Sequence, residues 1–269
     1  MTLVRRPTYD VAASDWTHVA MADGEHQTIA RFVGDGGGKL SSPRSVTAQW
    51  VRASARALIA GYVDAYALLK FGVYVSFMTG NSTSAGVFSG QHNWREAVQS
   101  LLPIPCFVLG IVLGTLLARS GHRLDQNLAR VSALVAAMLS VATAAAYLAW
   151  PVWLGVVILS VAMGLMNTSI VRVGAQPVSL GFMTGDLNSM AQHLALGMKR
   201  APVPEAQGTW DSHWWRAGLL GGLWTTFFCG AVLGAVLALR FAYWTLLVAA
   251  AILLVLSAVE RGSTSAADT

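Results

Sequence analysis

From about Ser54 onward, long apolar runs alternate with short polar breaks, whereas the first fifty positions carry no such run. The first run reaches Phe71 and is interrupted only by Asp64, which predicts one helix. "GVYVS" at 72–76 follows, and its valines, tyrosine and serine favour extended backbone. Thr79-Gly80-Asn81 then predicts a new helix start, because Thr and Asn cap helices well and Gly frees the turn. That helix ends near Gly90, so it holds about 11 residues and rises about 16 Å. Crossing hydrocarbon takes about 30 Å, so this helix is expected to reach only the middle of a membrane.

The amphipathic "HNWREAVQSLL" at 92–102 is expected at the membrane interface with Trp94 as its anchor. Pro103 and Pro105 mark the bend into a span ending near Arg119. A polar loop leads to a span from about Leu128 to Trp150, and Trp150-Pro151-Val152-Trp153 is a tight turn. The plan then repeats. A helix at 153–171, an extended piece and a short helix at 183–197 precede a polar loop at 198–213 and spans at 215–239 and 241–259.

The repetition is literal in places. Phe77-Met78-Thr79-Gly80 returns as Phe182-Met183-Thr184-Gly185, and Lys70-Phe71-Gly72 matches Arg172-Val173-Gly174. Gly61-Tyr62-Val63-Asp64 matches Gly164-Leu165-Met166-Asn167, and "FVLGIVLG" ending at Gly114 matches "FFCGAVLG" ending at Gly234. Matches kept in one order are an internal duplication. Residues 51–150 and 151–260 are therefore two repeats. Residues 1–50 mix Asp, Gly, Thr and Arg without a period and read as a disordered cytoplasmic tail. No apolar core follows Arg5 and Arg6, so no secretory signal is expected there. Residues 261–269 form a polar C-terminal tail.

Composition fixes the class. Of 269 residues, 55% are hydrophobic and 12% charged, about half the charge of a soluble domain. The expected fold is an all-α integral membrane protein with the lipid bilayer as its first partner. The net charge of +5 is read as loop charge that orients helices, not as a nucleic-acid surface. Cys106 and Cys229 are expected to be reduced packing residues. Basic residues cluster in the N-terminal tail, around Arg119, Arg123 and Arg130, and at Lys199, Arg200 and Arg216. All three clusters share the cytoplasmic side only if the two short helices dip in and return. That gives six spans, two re-entrant helices, both termini inside, and two inverted three-helix repeats. Eight crossings is the rival count and puts the middle cluster outside.

Non-helical backbone inside a membrane survives only when buried in protein or facing a water-filled cavity. Two breaks at matched positions point to a transporter's central site. The candidate substrate-binding residues are Asp64, Thr79, Gly80 and Asn81 in the first half, with Asn167, Thr184, Gly185 and Asp186 in the second. Acid and amide are exchanged between the halves. The competing reading makes both corners plain architecture. Asp64 is either an ion-pair partner locking the halves together or a carrier of a proton or cation. Lys70 and Arg172, near helix ends, are expected to snorkel, and Asp186 can serve as an N-cap. Gly110-xxx-Gly114 and Gly230-xxx-Gly234 are small-residue packing faces, with a homodimer as the alternative use. His193 and His122 lack a second ligand at metal spacing, so no metal and no cofactor is expected. No Walker loop, GxSxG or HExxH occurs, and an enzyme is not expected.

The "GYVDA" helix, the "VSFMTGN" corner and the looser second copy resemble the YoaK-like family of bacterial multi-pass membrane proteins over about residues 54–260. The resemblance implies an inner-membrane location and puts Asp64, Thr79, Gly80 and Asn81 on the family's best-marked positions. The functional expectation is a transporter or channel for a small solute or ion. A non-transporting scaffold or accessory subunit is the alternative. A water-accessible cavity reached by Asp64, Thr79, Thr184 and Asp186 separates the two.

Overall fold

A computed structural model describes residues 43–118, 124–169, 172–178 and 183–265. The expected disordered tail lies outside the described residues as far as position 42, as do Arg119, Arg123 and the last four positions. The first half contains α1 (Pro43–Phe71), α2 (Met78–Gly90), α3 (Trp94–Leu101), α4 (Pro103–Ala118) and α5 (Leu124–Tyr147). The second contains α6 (Val152–Asn167), a hairpin of β1 (Arg172–Val173) and β2 (Gln176–Pro177), α7 (Met183–Met198), α8 (His213–Phe241) and α9 (Thr245–Ser265).

Several boundaries differ from the sequence reading, and α9 runs on to Ser265, past the expected end at 259. α1 begins at Pro43, well before Ser54, because proline suits a first helical position and Val46, Trp50, Ala53 and Ala57 line one helical face. That face packs into a cluster with Val173, Leu220 and Leu223. α2 begins at Met78 with Phe77 at its N-cap and no side-chain cap bond, so Thr79 is not the cap. Instead, the Thr79 carbonyl accepts the Thr83 hydroxyl at 3.0 Å. α6 stops at Asn167, not near 171. The second extended piece is partly the two-residue hairpin, which turns through Gly174 at φ +59°, a conformation that favours glycine.

The halves are joined by crossed pairing. α1 packs on α8, α6 packs on α4, and α5 packs on α9. Each half's first helix thus lies against the glycine-bearing span of the other half. The contacts in the two crossed seams match. A Cβ on Gly61 would strike the Phe227 carbonyl, and a Cβ on the matched Gly164 would strike the Phe107 carbonyl. Gly230 and Gly234 lie under Leu58 and Tyr62, while Gly110 and Gly114 lie under Val161 and Leu165. Side chains are absent where backbones touch, which is how helices approach without a hydrophobic driving force. Both small-residue faces are therefore used inside the chain, and a homodimer would need other surfaces.

Among the described residues, three stretches are long and apolar enough to cross a membrane: Trp94–Leu117, Asn127–Tyr147 and His213–Gly262. The last is two helices, since a short turn at Ala242–Trp244 separates α8 from α9. α6 is apolar and has 16 residues, about 24 Å of rise. Outward faces of α4 and α8 are apolar, with Leu116 and Leu239 both strongly exposed. Tyr147, Trp150, Trp153 and Trp244 sit exposed near the turns, where amphipathic rings settle at a membrane–water boundary. The molecule is an all-α membrane protein.

Candidate functional site

The first corner is tied to the helices on both sides of it. Asp64, on α1, accepts the Val75 and Ser76 amides at 2.8 Å on Oδ1, and its Oδ2 accepts the Ser76 hydroxyl. Asn81, on α2, accepts the Tyr74 amide at 2.9 Å and donates to the Tyr74 carbonyl at 2.6 Å. Three consecutive peptides are held this way, so backbone groups that no helix satisfies find partners at depth. Both side chains are buried. Gly80 faces the Phe77 and Tyr74 rings, which leave no room for a Cβ, and Thr79 is exposed.

Asp64 is therefore not the ion-pair partner that the sequence offered as its simpler reading. Its carboxylate is directed at the corner's own amides and hydroxyl. The ion pair that joins the halves is elsewhere. Arg56 of α1 meets Glu260 of α9 at 2.8 Å, with both side chains fully buried. Ser132 of α5 accepts from Arg56 at 2.8 Å and donates to the Glu260 carboxylate at 3.3 Å. Arg56 stands near the start of the apolar run, and the sequence reading gave it no role. Its partner lies 204 positions away.

The second corner is held differently. Asn167 lies partly buried at the end of α6, Asp186 is buried in the first turn of α7, and Thr184 is exposed. The Gly174 amide donates to Gln49 at 2.9 Å, so the hairpin leans on the early turns of α1. On the other side His193 Nε2 lies 2.8 Å from Gln176 Oε1, and the Nδ1 atoms of His193 and His213 lie 2.8 Å apart. One imidazole must donate to the other across that contact. His213 is the partner that the sequence reading did not find for His193. It is a hydrogen-bond partner, and no cluster of three or more metal-type ligands exists among the described residues. Nearby, Arg216 makes two 2.8 Å bonds to Asp211. That guanidinium holds the Asp211 carboxyl below its ordinary range, against the smaller opposing effect of burial.

The eight predicted residues are not gathered into one chamber. α2 packs on α3 and α4 while α7 packs on α8, and α2 and α7 share no substantial seam. A cavity of about 380 Å³ does exist, but none of the eight lines it. It lies where α1 ends, between the α5–α6 turn and the α8–α9 turn, with Lys70 and Tyr66 in its wall. Alanine is the commonest residue in its walls, and alanines carry no chemical signal in a sequence.

The comparisons agree with this architecture. A family model described as "Protein of unknown function (DUF1275)" matches residues 53–259. The chain is 28% identical over 143 residues to "UPF0700 transmembrane protein YoaK" of Bacillus subtilis (strain 168), covering 51% of this chain and 64% of that protein. It is 30% identical over 184 residues to "UPF0700 transmembrane protein RA0705" of Rhizobium meliloti (strain 1021), covering 68% and 73%. The match thus spans less than two thirds of the Bacillus relative. No solved structure matches. The family match takes in both corners, both crossed seams and the Arg56 position, and the chain belongs to the DUF1275 family of membrane proteins.

Proposed function

We propose that the protein is a carrier for a small solute or ion in the bacterial inner membrane, with no enzymatic activity of its own. In this reading it has two inverted halves, six spans, two re-entrant helices (α2 and α7) and both termini in the cytoplasm. The observation that carries it is an asymmetry between matched places. The end of α1 opens on a cavity, while its counterpart near the end of α6 is filled by α1's early turns and fastened nearby by Arg56–Glu260. One end open and the other shut is what an alternating-access carrier presents in a single state. The corners then act as hinges between helix and half-helix. The eight corner residues become the solute's central site only when Asp64 exchanges Ser76 for the solute.

Flux assays test this. Protein in vesicles, screened against organic anions, amino acids and monovalent cations, should speed the passage of at least one of them over protein-free vesicles. Asp64→Asn should stop that passage without reducing the amount of folded protein. A folded protein that is silent across the whole panel sinks the carrier. Topology is tested by cysteines replacing Gln126 and Ala206 in a background lacking Cys106 and Cys229. Both should label from the cytoplasm, and external labelling of position 126 would favour eight crossings.

The second reading, a membrane scaffold or accessory subunit, has one observation in its favour. Asp64 and Asn81 direct their hydrogen bonds at their own corner, as purely structural side chains would. In that case Asp64→Asn changes no flux, and its only effect is on stability.

A further inference from the structure

We propose that the cavity at the end of α1 binds a small monocarboxylate with an apolar body, delivered as a free solute. The inference names a solute class for the open end of the carrier, but equilibrium binding stands or falls without any transport.

Four features of the wall define the ligand. Lys70 is the one charged residue lining the cavity, and no carboxylate lines it. No hydrogen bond or ion pair to Lys70 occurs among the described residues. About one helical turn back along α1, Tyr66 is 2% exposed and also lines the cavity. Its ring packs edge-on against Phe71 at 5.9 Å, but its hydroxyl has no hydrogen-bond partner among the described residues. That hydroxyl opens on the cavity, where a ligand or water can accept from it. One cation and one hydroxyl donor fit one carboxylate, which accepts from both.

The remaining wall is apolar. Ala142, Ala145 and Ala146 of α5 face Leu159 of α6 and Leu246 of α9, with Trp150 and Tyr243 near the turns. Such a surface recognises an aliphatic or flat aromatic body and no further polar group. The volume, about 380 Å³, is at the low end of small-molecule sites. Helix ends do not change the sign. The carboxyl ends of α1, α5 and α8 and the amino ends of α6 and α9 all come to this region, so four of the five partial charges offset in pairs and the one left over, about half a negative charge, is smaller than the full charge of Lys70. The Phe71 carbonyl at the end of α1 is already taken by Gln99 at 2.8 Å. Lys70 decides the charge of what binds.

The test uses the full chain in phosphatidylcholine nanodiscs, with octanoate as probe and octanol as its uncharged counterpart, titrated against empty discs. Octanoate should bind above the empty-disc background and octanol much more weakly. Lys70→Met should weaken octanoate by about tenfold or more, the usual worth of a hydrogen bond to a charged group, and Lys70→Arg should recover most of it. Lys70 is exposed, so these variants should fold with unchanged melting temperature. Ala146→Phe, filling the space, should abolish binding. Equal octanoate and octanol affinities, or full octanoate binding by Lys70→Met or Ala146→Phe, would overturn the site. Repeating the titration in discs containing phosphatidylglycerol separates the sources. Unchanged affinity supports a free solute, and loss beyond that seen with empty discs overturns it in favour of an anionic lipid headgroup.

Discussion

The ends of α1 and α6 stand at matched places in the chain and have opposite arrangements. Register set by Gly61 and Gly164 pairs Leu159 with Arg56 and Val152 with Gln49. At the α1 end, Leu159 and Val152 line a cavity beside Lys70. At the other end, Arg56 is locked to Glu260 and Gln49 is bonded to the hairpin that follows Arg172. The difference begins with chain length. α6 starts at Val152, whereas α1 extends back to Pro43. Those extra turns bring Val46 against Gly174, and Trp50 Nε1 donates to the Leu219 carbonyl at 3.0 Å. One extension and one ion pair make the two matched ends unequal.

The largest expected effect is at the ion pair. Arg56→Met alone strands a buried carboxylate and should cost about 3–5 kcal/mol, read as a fall in melting temperature in detergent. Arg56→Met with Glu260→Met should recover most of that loss, since buried pairs replaced by apolar groups are often neutral. The double variant makes the shut end resemble the Leu159 end. If its stability stays as low as the single variant's, the pair is more than a fastening and the comparison breaks.

The crossed seams come next. Gly61→Val and Gly164→Val each push a side chain into a backbone carbonyl of the opposite half, and each should cost about 1–3 kcal/mol by overpacking. Because the seams match, the two losses should agree closely. A large loss at one and none at the other would show that the seams match in their contacts but not in their mechanics.

One side of these seams was legible in the sequence, and the two ends were not. Gly110, Gly114, Gly230 and Gly234 stood at small-residue spacing and read as packing faces, whereas Gly61 and Gly164 showed only as matched positions and the crossed partners did not show. The short helices after each corner were legible because their starts recur in matched copies. α1's extra turns were missed because "PRSVTAQW" has no apolar run and shows its core face only as Val46 and Trp50, four positions apart. Asp64 was legible as a buried acid but not as the holder of Val75 and Ser76, because local hydrogen bonds leave no mark in composition. The cavity was invisible for a simpler reason. It is space left by alanines and a glycine, and only the fold brings α5, α6 and the α8–α9 turn around it.

A smaller effect separates the corners themselves. Asp64→Asn keeps an acceptor for the Val75 and Ser76 amides and lets the new amide donate to Ser76. It should cost about 1–2 kcal/mol, the loss of charge assistance rather than of the bonds. Melting temperature with and without Ser76→Ala measures it. A loss as large as that of Arg56→Met would mean that Asp64 has a charged partner at the corner.

The smallest effect is one of pH, and it falls on one end only. Burial, with His213 and Arg216 nearby, lowers the His193 pKa, and Arg216 lowers that of Asp211. A base with a lowered folded pKa binds fewer protons folded than unfolded, so its stabilisation is present at high pH. It fades as pH falls through the ordinary histidine value of about 6.5. Protonating His193 also leaves both imidazoles with N–H groups at the Nδ1 contact, where one must accept. Asp211 follows the carboxylate rule. Its contribution is present above the unfolded value of about 3.9 and is lost only as pH drops below that. Acid should therefore loosen the hairpin and the 199–213 loop in two steps, first the histidine contact and then the Asp211–Arg216 bonds. Among the described residues, the cavity end has Lys70 as its one charged wall residue, and no histidine or carboxylate lines it. Hydrogen exchange measured across that range should rise at 172–178 and 199–213 while 145–155 and 242–246 stay level. Equal loosening at both ends would mean that the histidine contact does not hold the shut end, leaving Arg56–Glu260 and the early turns of α1 to do so alone.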